Sequence, residues 1–451
     1  LKTIYAPNYL NLSIFVPLTT KNNNVLFKEE REQIKLLMQR EIIPAIGCTE
    51  PIAVSLCTAK ATEVLGCEPE RISVFLSANI IKNAMGVGIP GTGMNGLPIA
   101  IALGALRGKS ENGLELLRDL TPEEIEKGKR YTEERKIQIK LKDRIPDKLY
   151  IEVHCMGGGD IAKAIIRGNH TLFTYIERNG EILVKHDAVL TEESDHNNHL
   201  TFKKIFEYAI DSPLDELRFI LDAAEMNKKA AEVSQSGNYG HNVAKYLLDE
   251  KGLLLFGDNL HTRMVASTAA ACDVRMAGAP VAVMSNSGSG NQGIAATLPV
   301  VTYAEQMKSS EEQLIRALVL SNLTMIYIKQ HLGRLSALCG CVVASTGASS
   351  GITWLMGGNY EQVTYSIKNM IANITGMICD GAKPSCALKI ASGVSTATLS
   401  ALMAMKNEVV TAQEGIIDDD VDQTIRNLAL IGNKGMGETD RIVMDILTQK
   451  S

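Results

Sequence analysis

The chain has 451 residues, 45% hydrophobic and 22% charged, with a mean hydropathy of +0.02, a formal net charge of -5 and a pI of about 6.0. That balance describes a water-facing globular protein, long enough for two ordinary domains or one large one. Aromatics at 5% and the absence of any lysine or arginine run that could track phosphates exclude a nucleic-acid-binding role.

The nine cysteines are an odd number scattered along a long chain, which argues against a disulfide framework and for reduced thiols in a cytoplasmic protein. No signal peptide is read at the start. Its most apolar stretch, residues 9–18, is interrupted by Asn11 and Pro17 and is too short for a bilayer. Residues 1–28 are set aside as an N-terminal extension without assigned function. In chain order, residues 29–41 place Ile34 and Leu37 at helical spacing and run into Pro44, which ends a helix. After the turn Ile46-Gly47-Cys48-Thr49-Glu50-Pro51, residues 52–65 read as a buried, alanine-rich helix and residues 71–78 as a strand. Residues 79–106 read as tight turns passing into a small-residue helix.

Between residues 136 and 184 the pattern alternates ("KIQIKL", "KLYIEVHCM", "IAKAIIR", "HTLFTYIERNGEILV") and predicts a small antiparallel sheet, with Asn179-Gly180 as a hairpin turn. Residues 191–199 read as a linker. Beyond residue 200 the pattern is helical, with candidates at 202–209, 213–235, 242–249, 261–276, 292–306, 311–331 and 394–405. Residues 342–356 read as packed interior helix or loop. The fold class is therefore α+β: a mixed lobe over residues 29–198 carrying the small sheet, and a predominantly helical domain over residues 199–451. Loops meeting between the two are where a ligand site is expected.

Cys379 and Cys386 flank Gly381 and Pro384, which argue for a loop that can fold two thiolates toward one centre, and Cys339 can reach it from a neighbouring helix end. Three thiolates around a cubane leave one iron free as a Lewis acid. From spacing alone, buried structural thiols are an equally good reading. Cys341 is read as packing because it lies two residues from Cys339, and Cys57, Cys67, Cys155 and Cys272 are read as structural. Cys48 follows Gly47 at an expected helix start, where amides and the positive helix end are expected to lower a thiol pKa. Such a thiolate could take up a proton or cap an iron, with Thr49 capping the helix in either case.

Gly86-Val87-Gly88-Ile89-Pro90-Gly91 fits G-x-G-x-x-G but lacks the strand before it and the helix after it that dinucleotide binding needs. It reads instead as a close-approach loop whose amides, with Thr92, receive a carboxylate. The loop from Ser285 to Gly293 offers Ser285, Asn286, Ser287, Asn291 and Gln292 as neutral donors, or else connects two helices flexibly. Lys82 and Arg334 are possible charge partners for a carboxylate, while His241, His261 and the Asp418-Asp419-Asp420 run read as ordinary.

The segments "IGCTEP", "NIIKNAMGVGIPGTGMNGLP", "SNSGSGNQG", "RLSALCG" and "GMICDGAKPSCALK" closely resemble the L-cysteine desulfidase family, which is related to the iron–sulfur-dependent L-serine dehydratases. The resemblance runs from about residue 30 to the C-terminus. It implies a [4Fe-4S] cluster on Cys339, Cys379 and Cys386, with Cys48 as catalytic base and no PLP or NAD. It implies conversion of L-cysteine to pyruvate, ammonia and sulfide. L-serine dehydration and a non-catalytic iron–sulfur or thiol sensor are the alternatives. Thr49, Glu50, Asn79, Lys82, Asn83, Gly91, Thr92 and Gly93, with the five polar residues of the Ser285–Gly293 loop, are the expected substrate contacts. The expected partner is a small amino acid, without nucleic acid or membrane, and a homodimer is possible. The related serine dehydratases can use a cysteine at the extreme C-terminus as a further cluster ligand. Here the sequence ends Thr448-Gln449-Lys450-Ser451, so the fourth iron is expected to be exchangeable.

Overall fold

A computed structural model describes residues 26–142, 145, 147, 149–186, 200–333 and 336–449. Residues 1–25 of the expected extension, the expected linker at 191–199, and Arg334 lie outside the described residues. The α+β class holds. Eight strands are present among the described residues: β1 (Pro44–Ile46), β2 (Arg71–Leu76), β3 (Ile137–Leu141), β4 (Tyr150–Gly157), β5 (Asp160–Arg167), β6 (Phe173–Arg178), β7 (Glu181–Lys185) and β8 (Ala282–Met284).

Six of them form one sheet in the order β3-β2-β4-β5-β6-β7. Asn179 (φ 50°) and Gly180 (φ 87°) make the expected tight hairpin between β6 and β7. The sheet is mixed, because β2 pairs parallel to β3 on one side and antiparallel to β4 on the other. Parallel pairing needs a long crossover, and the helices Leu97–Arg107 and Pro122–Glu133 supply it. The inward side chains of the sheet, including Val74, Val153, Ala162 and Ala164, meet Ala53, Cys57 and Ala61 of the helix Thr49–Leu65. That helix packs tightly on Leu97–Arg107, since a Cβ at Gly104 would collide with the backbone of Ser55.

The rest of the chain is built around the helix Gly340–Leu355, buried at every position from Cys341 to Trp354. Its neighbours are the helices Gly290–Gln306, Glu311–Leu332, Tyr360–Ile374 and Cys386–Met405. Small residues let the backbones approach: a Cβ on Gly347 would strike the Ser321 carbonyl. A helix surrounded by protein has no amphipathic stripe, which is why its sequence reads equally as helix or loop. The helix Cys386–Met405 is apolar and long enough to cross a membrane by composition (mean hydropathy 1.3), but half of it is buried inside the protein.

Two connections fasten the parts together. The first helix, Lys28–Glu41, buries Ile34, Leu37 and Met38 in the helical core, while the last, Gly437–Thr448, buries Met444 in the core beneath the sheet. Strand β1, directly before Gly47-Cys48, pairs antiparallel with β8, directly before Ser285. Two segments more than two hundred residues apart are thereby fixed side by side.

Candidate active site

A cavity of about 930 Å³ opens where the sheet lobe meets the helices. Cys48 and Glu50 reach it from the start of Thr49–Leu65, and Asn79, Lys82 and Asn83 from the helix Ala78–Ala84. Ser287 reaches it from the loop after β8, Asn291 and Gln292 from the start of the helix Gly290–Gln306, and Cys339, Cys379 and Cys386 from the helical side. Leu149, Gly168 and His170 close it from the turns of the sheet. Sequence periodicity gave no sign that these turns belong to the site.

Cys48 is the N-cap residue of its helix, with Thr49 as the first helical residue; no side chain caps the end, so Thr49 is not the cap expected of it. The Cys48 thiol donates to Glu50 Oε2 at 2.9 Å, and Glu50 Oε1 accepts from Asn83 Nδ2 at 3.1 Å. Burial, and then the Glu50 carboxylate beside it, push the thiol well above its ordinary range, although the Arg275 charge pulls the other way. This corrects the expectation of a lowered thiol: desolvation and a neighbouring anion outweigh the helix end. A group whose acid form is favoured stays protonated at neutral pH, so Cys48 rests as a thiol hydrogen-bonded to a carboxylate. Alkylation of Cys48 by iodoacetamide should therefore be slow at pH 7 and accelerate through the alkaline range. Peptide mass spectrometry across a pH series reads this directly, and a rate already on its plateau at pH 7 would contradict it.

Arg275, at the end of the helix Leu260–Met276, is the main residue that sequence reasoning missed. It is 2% exposed and lines the cavity. Its Nη1 donates to Asn291 Oδ1 and its Nη2 to the Gly47 carbonyl, both at 2.9 Å. Among the described residues its Nε has no hydrogen-bond partner, and its two hydrogen bonds go to an amide and a carbonyl rather than to a carboxylate. Gly290 makes room for it, because a Cβ there would collide with the guanidinium. A buried, uncompensated cation is costly, so such a site favours an anion arriving from solution. The available signal was a lone arginine inside an alanine-rich buried helix. Gln292 is the complementary case: its amide lies over Gly340, where a Cβ would collide with it, and its Oε1 is buried without a hydrogen-bond donor among the described residues.

The three cysteines singled out for a cluster all line this cavity. An isolated bridge between Leu338 and Ile378, with Cys339 N donating to Met377 O at 2.9 Å and Cys379 N to Ala337 O at 2.7 Å, clamps the two cysteine loops together. Cys386 is the first residue of Cys386–Met405, and Gly381 has its Cα against the Lys82 carbonyl, where a Cβ would not fit. Hydrogen bonding from Cys341, against the opposing effect of burial, brings Cys339 down to about 7 and Cys386 to about 6, the latter helped by Lys383 and Lys389. Burial pushes Cys379 up, with the Lys82 charge opposing. Cys341 lines the same cavity as Cys339 and Cys386, so it is more than a packing residue. Among the described residues no three His, Cys, Asp or Glu side chains converge on a single metal ion. A cubane instead takes one thiolate per iron and needs thiols around a shared void.

Other expected contacts lie elsewhere. Gly91, Thr92 and Gly93 are outside the cavity lining. The Gly91 amide is taken by the Gly278 carbonyl, and Thr92 Oγ1 is committed to Ile89 O and Met94 O of its own turn. The close approach at Gly88 is to the backbone of Ala277 and Gly278, not to a ligand. Ser285 Oγ donates to Ile43 O at 2.6 Å and Asn286 Nδ2 to the Asn322 carbonyl and side chain, so both brace the loop and neither faces the cavity. Lys82 does line it, but its ammonium is held 2.7 Å from Asp440 of the last helix.

The chain matches the family model described as serine dehydratase alpha chain over residues 111–445. It belongs to that family. A UPF0597 protein of Bacteroides fragilis is 62% identical over 424 residues, covering 94% of this chain and 99% of the relative. UPF0597 proteins of Porphyromonas gingivalis, 51% identical over 427 residues, and Oleidesulfovibrio alaskensis, 44% over 427, cover 93% and 94% of this chain and 99% and 100% of their own lengths. The serine dehydratase-type part of the sequence resemblance is thereby shown, and the chain is a serine dehydratase-like lyase.

Proposed function

We propose that this cavity eliminates the β-substituent of a small L-amino acid, L-cysteine in preference to L-serine, with a [4Fe-4S] cluster held by Cys339, Cys379 and Cys386. The observation that carries the reading is the convergence, in one enclosed space, of those thiols with the Cys48–Glu50 pair and a buried guanidinium whose hydrogen bonds go to neutral groups. The donor set fits a cluster: soft thiols around a shared void, two of them lowered toward neutrality and flanked by Lys383 and Lys389. When bound, the cluster supplies a Lewis-acidic iron that draws electron density from the leaving group.

The chain's own residues do the rest. Arg275, braced by Asn291 and Gly47, receives the substrate carboxylate, and Gln292 Oε1 accepts from its α-ammonium. Cys48 and Glu50 act as one acid–base unit: the pair takes the Cα proton while the Cα electron pair forms the Cα–Cβ double bond and the Cβ–S bond breaks, and it returns a proton to the departing sulfide. The aminoacrylate released tautomerises and is hydrolysed to pyruvate and ammonia. A thiol leaving group matches soft iron better than a hydroxyl, which favours cysteine. The family match favours L-serine dehydration as the second reading. The free thiols of all nine cysteines suit a reducing cytoplasm.

Anaerobic assays of pyruvate release from L-cysteine and L-serine test the choice. The reading expects kcat/KM at least about tenfold higher for cysteine, a difference of about 1.4 kcal/mol; a reversed ratio replaces it with serine dehydration. Arg275→Lys keeps the charge and loses the fork, and should raise KM about tenfold or more with a smaller effect on kcat. An unchanged KM would remove Arg275 from the carboxylate site.

A further inference from the structure

The cavity is larger than elimination from L-cysteine needs. L-cysteine and a cubane hold roughly fifteen non-hydrogen atoms between them, and at about 30 Å³ for each, a water's share of its liquid, they fill on the order of 450 Å³. The cavity holds about 930 Å³, so much of it is left over. Cys48 Sγ lies 3.8 Å from the Asn83 carbonyl, and Gly381, two residues after Cys379, packs on the carbonyl of Lys82. The acid–base pair and the thiols therefore meet at the helix Ala78–Ala84. The wall that these groups do not supply is built by Gly333, Ser336 and Leu338, by Asn433 of the turn Ile431–Gly435, and by Leu149 and Gly168 of the sheet turns. Leu338 directly precedes Cys339, so the surplus space starts beside the thiols. Asn433 lines the cavity and is exposed, so the space opens to water on that side.

The polar groups on and around that wall are already engaged. Ser336 Oγ donates to Leu338 O at 3.1 Å, and Asn433 Nδ2 to His331 O at 2.9 Å. Of the bordering charges, Asp147 pairs with Arg167 at 2.8 Å, Lys82 with Asp440 at 2.7 Å, and Lys389 with Asp380 at 2.5 Å; Lys329 is engaged as well. A charged tail placed here would leave water without a partner, which is costly. An alkyl tail gains by leaving water, and Leu338 and Leu149 give it apolar surface to lie on.

We propose that the site takes L-cysteines alkylated at sulfur by a short uncharged chain, with the alkyl group lying along Leu338 and Asn433. The proposal rests on the elimination chemistry above and widens its leaving group from sulfide to an alkanethiol. The Cys48–Glu50 pair removes the Cα proton, the Cα electron pair forms the Cα–Cβ double bond, and the Cβ–S bond breaks with its electrons on sulfur. The pair returns a proton to the alkanethiolate, and hydrolysis of the aminoacrylate consumes one water, giving alkanethiol, pyruvate and ammonium. No oxidant or reductant is required.

The test gives anaerobically reconstituted full-length protein L-cysteine, L-serine and the S-methyl, S-propyl, S-carboxymethyl and S-(2-aminoethyl) derivatives of L-cysteine, with pyruvate and released thiol measured separately. The two S-alkyl substrates should yield one alkanethiol per pyruvate, and KM should fall from S-methyl to S-propyl by up to about fourfold for each methylene buried. The two charged derivatives should be at least about tenfold poorer in kcat/KM than S-propyl-L-cysteine. Asn433→Trp narrows the open side and should lower the ratio of kcat/KM for S-propyl-L-cysteine to that for L-cysteine at least about tenfold. This ratio is internal to one preparation, so a partly folded variant leaves it readable. Turnover of L-cysteine or L-serine with no S-alkyl substrate used, charged derivatives used as well as alkyl ones, or an unchanged ratio in Asn433→Trp would overturn the inference and leave the elimination chemistry standing. No pyruvate from any of these substrates, by protein holding about four irons, would overturn both.

Discussion

Replacing Cys386 with serine is expected to reduce the iron retained after anaerobic reconstitution from about four per chain to less than one, and to take lyase activity below detection. Among the three thiols, Cys386 is the most strongly poised as a thiolate, brought to about 6 by Cys341 and then by the Lys383 amide and the nearby lysine charges. A serine hydroxyl in its place stays protonated and is a hard donor where the site is otherwise soft. The fold should survive, because the residue opens a twenty-residue helix whose first turn is held by its own backbone and by the Lys383 carbonyl. Iron and sulfide analysis beside a thermal melt separates the outcomes: full iron content in the variant would remove Cys386 from the ligand set. Cys341→Ser is the informative companion, since it should keep the iron and alter only the cluster's properties.

The second large effect is expected at Glu50. Glu50→Gln keeps the shape and the neighbour Asn83 but removes the charge that receives the Cys48 proton. A positioned acid–base group contributes typically 10²–10⁴-fold, so kcat should fall by about that factor with KM little changed. Cys48→Ser should fall on the same scale, and the double variant should be no slower than the worse single one, because groups that act as a unit are not additive. Multiplicative losses would mean that Cys48 and Glu50 act separately. Solvent deuterium should also cease to wash into the Cα position of unreacted substrate in either variant.

Much of this was legible in the residues themselves. Alternation between residues 136 and 184 and the Asn179-Gly180 turn announced the strands, because side chains of period two need no tertiary information. The parallel entry of β2 was not legible, since the same alternating strand can pair either way and the crossover helices decide. The helix Gly340–Leu355 was ambiguous because burial on all sides erases periodicity. For the site, residues of the cysteine and GCTEP motifs line one cavity, whereas the G-x-G-x-x-G loop is engaged in backbone packing. The lowered thiol expected at Cys48 failed because a helix end is a weak field against full burial beside a carboxylate. Arg275 escaped because its importance lies in what is absent around it, which only three-dimensional neighbours reveal. Cys341 escaped because spacing along the chain does not reveal which residues line a shared cavity.

In the proposed function, thiols from two loops and an acid–base pair from a third form one lyase site in this cavity. The most direct measurement is pyruvate release from L-cysteine by anaerobically reconstituted full-length protein, before and after removal of iron with a chelator. Turnover with one sulfide released per pyruvate is expected, abolished by chelation and restored by reconstitution. Pyruvate formed at an undiminished rate by the iron-free protein, or none from L-cysteine or L-serine by protein holding about four irons, would contradict it.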